Sequence, residues 1–285
     1  MAGSMPVISS GALRRELSYR NIERARNHEH ELSYGSTPSV IYRDEEGVHG
    51  NFLPASYRAI CAHPEWRKRL KKSYTGGRWV PRSKDRSRCE LDCANSSDAL
   101  LMNIFCYPGI LRRSQLCGLL GVEAGCLPEF GFKPRVPLMS GRGDATEVDM
   151  RLGDLLVEAK LTESGFQSAP LRLLSRYRDL DAVFDVEELP GSEDVVRSYQ
   201  LIRGALAAYA TGCSFLLLCD GRRTDLIESW FVVLRAVRSY DFRSKLKLLT
   251  WQEIAGAVPR AVRVFLAEKY GILAPQTDKT KQPRR

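Results

Sequence analysis

Between Thr146 and Leu161 apolar and polar residues alternate. Val148, Met150 and Leu152 are separated by Asp149 and Arg151. After Gly153-Asp154 the chain runs Leu155-Leu156-Val157-Glu158-Ala159-Lys160. A period of two is the signature of a strand, and a Gly-containing dipeptide between two such runs predicts a tight hairpin. Folding about Gly153-Asp154 sets Leu152 opposite Leu155, Met150 opposite Val157, and Val148 opposite Ala159 on an apolar face. The other face then carries Asp149 opposite Glu158 and Glu147 opposite Lys160.

Helical and extended patterns alternate along the rest of the chain. Residues 11–33 form a helix-like run rich in Arg and Glu, with His28 and His30 on its polar surface. Residues 34–57 hold Gly, Ser and Pro around a short strand at Ser39–Tyr42. Pro64 suits the start of a short basic helix over 64–72, and Gly76-Gly77 and Pro81 mark a loop. Asn95-Ser96-Ser97 supplies an N-cap for a helix over 97–106, which must stop before Pro108. Further on, 111–120 reads as helix, 128–138 as strand, and 165–181 as loop with a short helix. Residues 192–210 read as a strong helix stopped by Gly212, and 214–219 as a buried strand. Residues 228–237 fit strand or helix, 251–258 and 260–270 fit helices, and the polar end from 274 fits a disordered tail. Strands interspersed with helices predict an α/β fold.

Composition narrows the function. The 285 residues suffice for one large or two small domains, and 44% apolar content supports a substantial core. No apolar run is long enough to span a bilayer, and the start lacks a signal-peptide core, so a cytoplasmic protein without membrane partners is expected. Residues 1–4, ahead of a second methionine, read as an expression remnant. The eight cysteines sit largely in apolar contexts and are expected to be free thiols. Cys89-x3-Cys93 lacks the second pair that a zinc site needs. The net charge of +9 is unevenly placed: residues 66–88 carry ten Lys or Arg and one Asp, which leaves the remainder neutral. Such concentration is the footprint of a polyanion binder, and Trp66, Tyr74 and Trp79 are spaced to stack on bases. The alternative is a solvated basic loop whose aromatics anchor it to the core.

Two carboxylates opposed across a sheet repel, and burial raises the cost unless a proton or a cation intervenes. Mg²⁺ binds through one or two carboxylates, with water and phosphate oxygens completing its shell. The hairpin therefore reads as half of a metal site with a lysine beside it, or else as a solvated charged face.

The pattern Asp149…Glu158-Ala159-Lys160 resembles the PD-(D/E)xK nuclease superfamily, whose motif places an Asp on one strand and Glu-x-Lys on the next. Val148 stands where the eponymous proline would be. With the element order around it, the resemblance extends over about 95–255. It implies a restriction-endonuclease-like αβββαβ core over 95–272, with a mixed central sheet flanked by helices. A mainly helical, basic region over 5–94 would precede that core, and a tail over 273–285 would follow it. Asp149, Glu158 and the Ala159 carbonyl would hold one or two Mg²⁺ or Mn²⁺ ions. Lys160 would orient or deprotonate the attacking water and stabilise charge on the phosphate. A further acid is expected from the first core helix, Asp98 with Glu90 as runner-up, and Gln200 and Tyr199 would face the site. Nucleic-acid contacts are assigned to Arg67, Lys68, Arg69, Lys71, Lys72, Arg78, Trp79 and Arg82. The function implied is a Mg²⁺-dependent endonuclease of restriction type acting on double-stranded DNA as a homodimer. The rivals are a nuclease of the same fold on RNA, single-stranded or branched DNA, a non-catalytic nucleic-acid binder, and a structural protein whose basic segment docks an acidic partner.

Overall fold

A computed structural model describes residues 7–33, 37–74 and 88–275. A five-stranded mixed sheet lies at its centre, with strands β1 (Pro128–Phe132), β2 (Val148–Leu152), β3 (Leu155–Ala159), β4 (Ser214–Cys219) and β5 (Leu246–Thr250) side by side in chain order. β2 runs antiparallel to both β1 and β3, while β3, β4 and β5 are parallel. Between β2 and β3 a tight turn at Gly153-Asp154 suffices, where Gly153 takes a φ of 53°. The parallel half needs crossovers, and helices supply them.

The helices that matter here are α1 (Ser10–Ala25), α2 (Pro54–Ala62), α3 (Pro64–Arg69), α4 (Ser97–Phe105), α5 (Ser114–Leu120), α6 (Tyr199–Thr211), α7 (Thr224–Arg235), α8 (Trp251–Ala257) and α9 (Arg260–Tyr270). They cover both faces of the sheet, because the strands alternate apolar side chains to both sides. Met150, Leu152, Leu155, Val157, Ala159, Leu216 and Leu218 pack against α1, α4, α5, α8 and α9. Leu156, Phe215, Leu217 and Cys219 pack against α6 and α7. Gly204 lets α6 approach the sheet, since a Cβ there would meet the Phe215 ring at 2.2 Å. Val148, expected beside Met150 and Leu152, instead joins the α6 layer.

The N-terminal residues lie directly on α4. Asn103 of α4 accepts from Leu53 N (2.7 Å) and donates to Asn51 O (3.0 Å), and the Ser56 hydroxyl donates to Asn103 O (2.7 Å). Phe52, Tyr57 and Ile60 join Ala99 and Met102 in a satellite core. Among the described residues no helix is long and apolar enough to cross a membrane.

Several elements differ from the pattern-based expectation. The first helix ends at Ala25, which places His30 in a strand (His30–Leu32) paired with Val40–Tyr42 rather than on a helix surface. The helix expected over 192–210 is split: Val195–Arg197 is a strand paired with Ser168–Pro170, and α6 begins only after Ser198, at φ 59°. Residues 228–235 belong to α7, with Ala236 and Val237 just past its end, and α2 and β5 were not anticipated.

Candidate active site

The β2–β3 register pairs Leu152 with Leu155 and Met150 with Val157. One step further Asp149 takes over with its side chain: its Oδ2 accepts from the Ala159 N–H at 2.7 Å. The next residue is fixed through its backbone. Lys160 N donates to Leu218 O on β4 (2.8 Å), and Trp251 Nε1 at the start of α8 donates to Lys160 O (2.8 Å). Lys160 Nζ reaches back along its own strand to Glu158 Oε1 at 2.7 Å. Asp149, Glu158, Ala159 and Lys160 line one cavity of about 480 Å³ together with Asp98, Glu90, Glu163 and Gln200.

The electrostatics of this cavity are crowded. Burial pushes the Asp149 carboxyl well above the usual carboxylate range, and the charges of Glu158 and Asp98 push it further; Lys160 and the Ala159 N–H pull the other way. Glu90 is raised as well, by burial and then by Asp98. Burial works to lower the Lys160 ammonium, yet Glu158, Glu163 and Asp149 override it and hold the group above the ordinary lysine value. The surrounding acids thus favour the charged form of Lys160.

Among the described residues no three His, Cys, Asp or Glu side chains converge as a ready-made metal cage. What the cavity offers is a cluster of carboxylates in which Glu158 holds the Lys160 ammonium and Asp149 is left short of positive charge. That donor set fits Mg²⁺, which keeps several waters and uses few protein oxygens.

The family model described as restriction endonuclease associating with ARP matches residues 21–271. The chain belongs to that family. No curated protein and no solved structure matches the chain. Membership of a restriction-endonuclease family points to a nuclease, and the α/β architecture with its mixed sheet is compatible with that fold.

The structure distributes this family member's basic residues in two ways. Arg67, Lys68 and Lys71 point outward, and Lys68 pairs only with Glu65, three residues earlier (2.5 Å). Arg69 and Lys72 turn inward. Arg69 Nη2 lies 3.0 Å from both Asp98 Oδ2 and Glu147 Oε1; Lys72 Nζ lies 2.7 Å from Asp98 Oδ2 and 3.2 Å from Glu147 Oε1. This corrects the expected Glu147–Lys160 apposition: each has a nearer partner of opposite charge. Arg78, Trp79 and Arg82 lie outside the described residues. Trp66 is an anchor, with its Nε1 donating to Pro128 O (2.9 Å) and its ring stacked on His63 at 4.3 Å.

Asp98 sits in the first turn of α4, whose N-cap Ser96 accepts from Ala99 N, and it lines the cavity. Of the two residues expected from α6, Gln200 lines the cavity while the Tyr199 hydroxyl meets that of Tyr177 (2.9 Å), which donates to Asp144 away from it. Glu163 escaped the sequence reading. It accepts from Leu161 N (2.6 Å) and from the Ser97 hydroxyl (2.7 Å), tying the turn after Lys160 to α4. No periodic pattern marks it; its only sequence signal is proximity to Lys160.

Proposed function

We propose that the protein is a Mg²⁺-dependent endonuclease of the PD-(D/E)xK type that hydrolyses phosphodiester bonds in double-stranded DNA. One observation carries the reading: Asp149, Glu158 and Lys160 line a single cavity in which Asp149 is left short of positive charge. Taking the central sheet and its longer flanking helices alone, the order α4, β1, β2, β3, α6, β4 supports the αβββαβ core; α5 and several short strands and helices are inserted between them. Asp149, Glu158 and the Ala159 carbonyl would hold the ion, which supplies a Lewis acid and a more acidic bound water. Asp149 is aimed by the Ala159 N–H. Lys160, kept protonated by its neighbours, holds a positive charge where negative charge grows on the phosphate. The exposed Arg67, Lys68 and Lys71 supply backbone grip.

The test uses purified protein with supercoiled, linear and single-stranded DNA and with RNA, in Mg²⁺, Mn²⁺ or chelator. Supercoiled DNA should be cut with Mg²⁺ and not with chelator. Asp149→Asn and Lys160→Met should each lower the rate by at least about a hundredfold. Unchanged cleavage by either variant removes the assigned site, and cleavage confined to RNA or single strands moves the substrate.

A further inference from the structure

Arg69, Lys72, Asp98 and Glu147 form a closed square in which each cation touches both acids. The niche is shaped for it. In the β1–β2 ladder Phe130 pairs with Met150 and Phe132 with Val148, while Gly131, lying across from Asp149, leaves the register at φ +65°. A Cβ on Gly131 would meet Arg69 Nη1 at 2.2 Å and Glu147 Oε2 at 2.9 Å. Arg69 Nε is buried and has no hydrogen-bond partner among the described residues, so one donor of the guanidinium fork is unused. Lys72 and Asp98 line the same cavity as Asp149 and Glu158.

Both pairs have stronger alternative partners in a nuclease. Arg and Lys bind phosphate oxygens through charge-assisted hydrogen bonds, and a divalent cation prefers carboxylates. Resting on the nuclease reading, we infer that Arg69 and Lys72 are exchange cations. Without nucleic acid they neutralise Asp98 and Glu147; with it they transfer to backbone phosphates and release Asp98, the one of the two acids that lines the cavity, toward the divalent cation. Nucleic acid and metal then strengthen each other's binding by the same factor, as linkage requires.

The experiment is calorimetric Mn²⁺ titration of the full chain in a Lys160→Met background, which keeps DNA uncut, with and without a short DNA duplex. The duplex should tighten Mn²⁺ binding about tenfold. Adding Arg69→Gln and Lys72→Gln should tighten Mn²⁺ binding without duplex and abolish the coupling. A merely structural role predicts the opposite sign, weaker Mn²⁺ binding. Circular dichroism melting establishes that the variants fold, and Lys72→Gln alone gives the same reading if the double variant does not. Coupling that survives in a folded variant, or Mn²⁺ binding that weakens there, overturns the exchange. Mn²⁺ binding that is lost in Asp149→Asn but indifferent to duplex overturns the exchange alone. No Mn²⁺ binding under any condition overturns the nuclease reading and the exchange with it.

Discussion

The parallel strands β3 and β4 end side by side, and an acid stands at each end in a very different state: Asp220 is fully buried and Asp149 half-buried. Beyond β4, Asp220 has no exposed surface, yet it accepts from Arg222 Nε (3.0 Å), Nη2 (2.8 Å) and N (2.9 Å) and from Gln252 Nε2 (2.8 Å). Burial alone would raise its pKa; the Arg222 and Gln252 hydrogen bonds outweigh burial and hold it below the ordinary value. Beside β3, Asp149 receives one N–H and faces two other acids, and its carboxyl is pushed up. The contrast separates a knot that is complete within the protein from a cavity that is not. Asp220 is the more deeply buried of the two, so depth of burial does not mark the candidate site. The shortage of compensating donors does.

The largest expected effect tests the complete end. Asp220→Ala would leave Arg222 and Gln252 facing an empty position and should cost about 3–5 kcal/mol in urea unfolding, since breaking a buried pair strands its partner. Asp149→Asn should cost nothing, and should stabilise the metal-free protein by about 1 kcal/mol or less, because the amide oxygen keeps the Ala159 N–H while one of the crowded charges disappears. Equal losses at both positions would break the comparison. The two acids also titrate in opposite senses. Asp220, lowered in the folded state, contributes stability that is present above the ordinary carboxylate value and lost as pH falls below it. Asp149, raised in the folded state, takes up its proton earlier than in the unfolded chain, so folding gains as pH falls through its raised value. Melting temperature against pH for wild type and Asp149→Asn should differ only above the ordinary carboxylate value.

The sequence carried much of this site and little of its surroundings. The hairpin was legible because strand periodicity and a Gly-containing turn fix the register together, and one slip would have put Glu158 among the core leucines. The buried strand at Ser214–Cys219 was legible from its unbroken apolar run. β5 was not, because Leu246–Thr250 holds one face half-buried and has a lysine at its second position. The break at Ser198 was not legible either, since a serine at positive φ has no sequence signal and the residues on either side extend a helical pattern. The inward turn of Arg69 and Lys72 lay beyond any local pattern. Their partners are 26 to 78 residues away, and a long side chain can snorkel either way.

A third buried charge sharpens the comparison from the other sign. Lys269 is fully buried on α9; its Nζ donates to Ala94 O (3.0 Å) and lies 4.1 Å from the Tyr270 ring, and no acid among the described residues pairs with it. Burial and then Arg24 push it well below the ordinary lysine value. A base with a lowered folded pKa binds fewer protons folded than unfolded, so stability rises with pH between its folded value and about 10.4. Lys269→Met keeps the volume and removes that slope, and should stabilise the protein near neutral pH by about 1 kcal/mol. If the variant instead melts lower with an unchanged slope, the ammonium is compensated and Lys269 belongs with Asp220.

The smallest effects distinguish the two sets of cations around the cleft. Arg67 and Lys71 are exposed, so each should act only as a phosphate contact. Replacing either with alanine should reduce the slope of log affinity for DNA against log salt by about 1, and leave unfolding stability within about 0.5 kcal/mol of wild type. Arg69 and Lys72 are held between Asp98 and Glu147, and their removal must disturb acids as well as phosphates. Their variants should therefore change the DNA slope and the Mn²⁺ affinity together, whereas Arg67→Ala and Lys71→Ala change the slope alone. A change in Mn²⁺ affinity for the outward pair would mean that long-range charge, rather than contact with Asp98 and Glu147, governs the cavity. Adding salt separates these cases, because exposed charges about 10 Å apart are largely screened at 0.1 M while a direct partly buried pair is not.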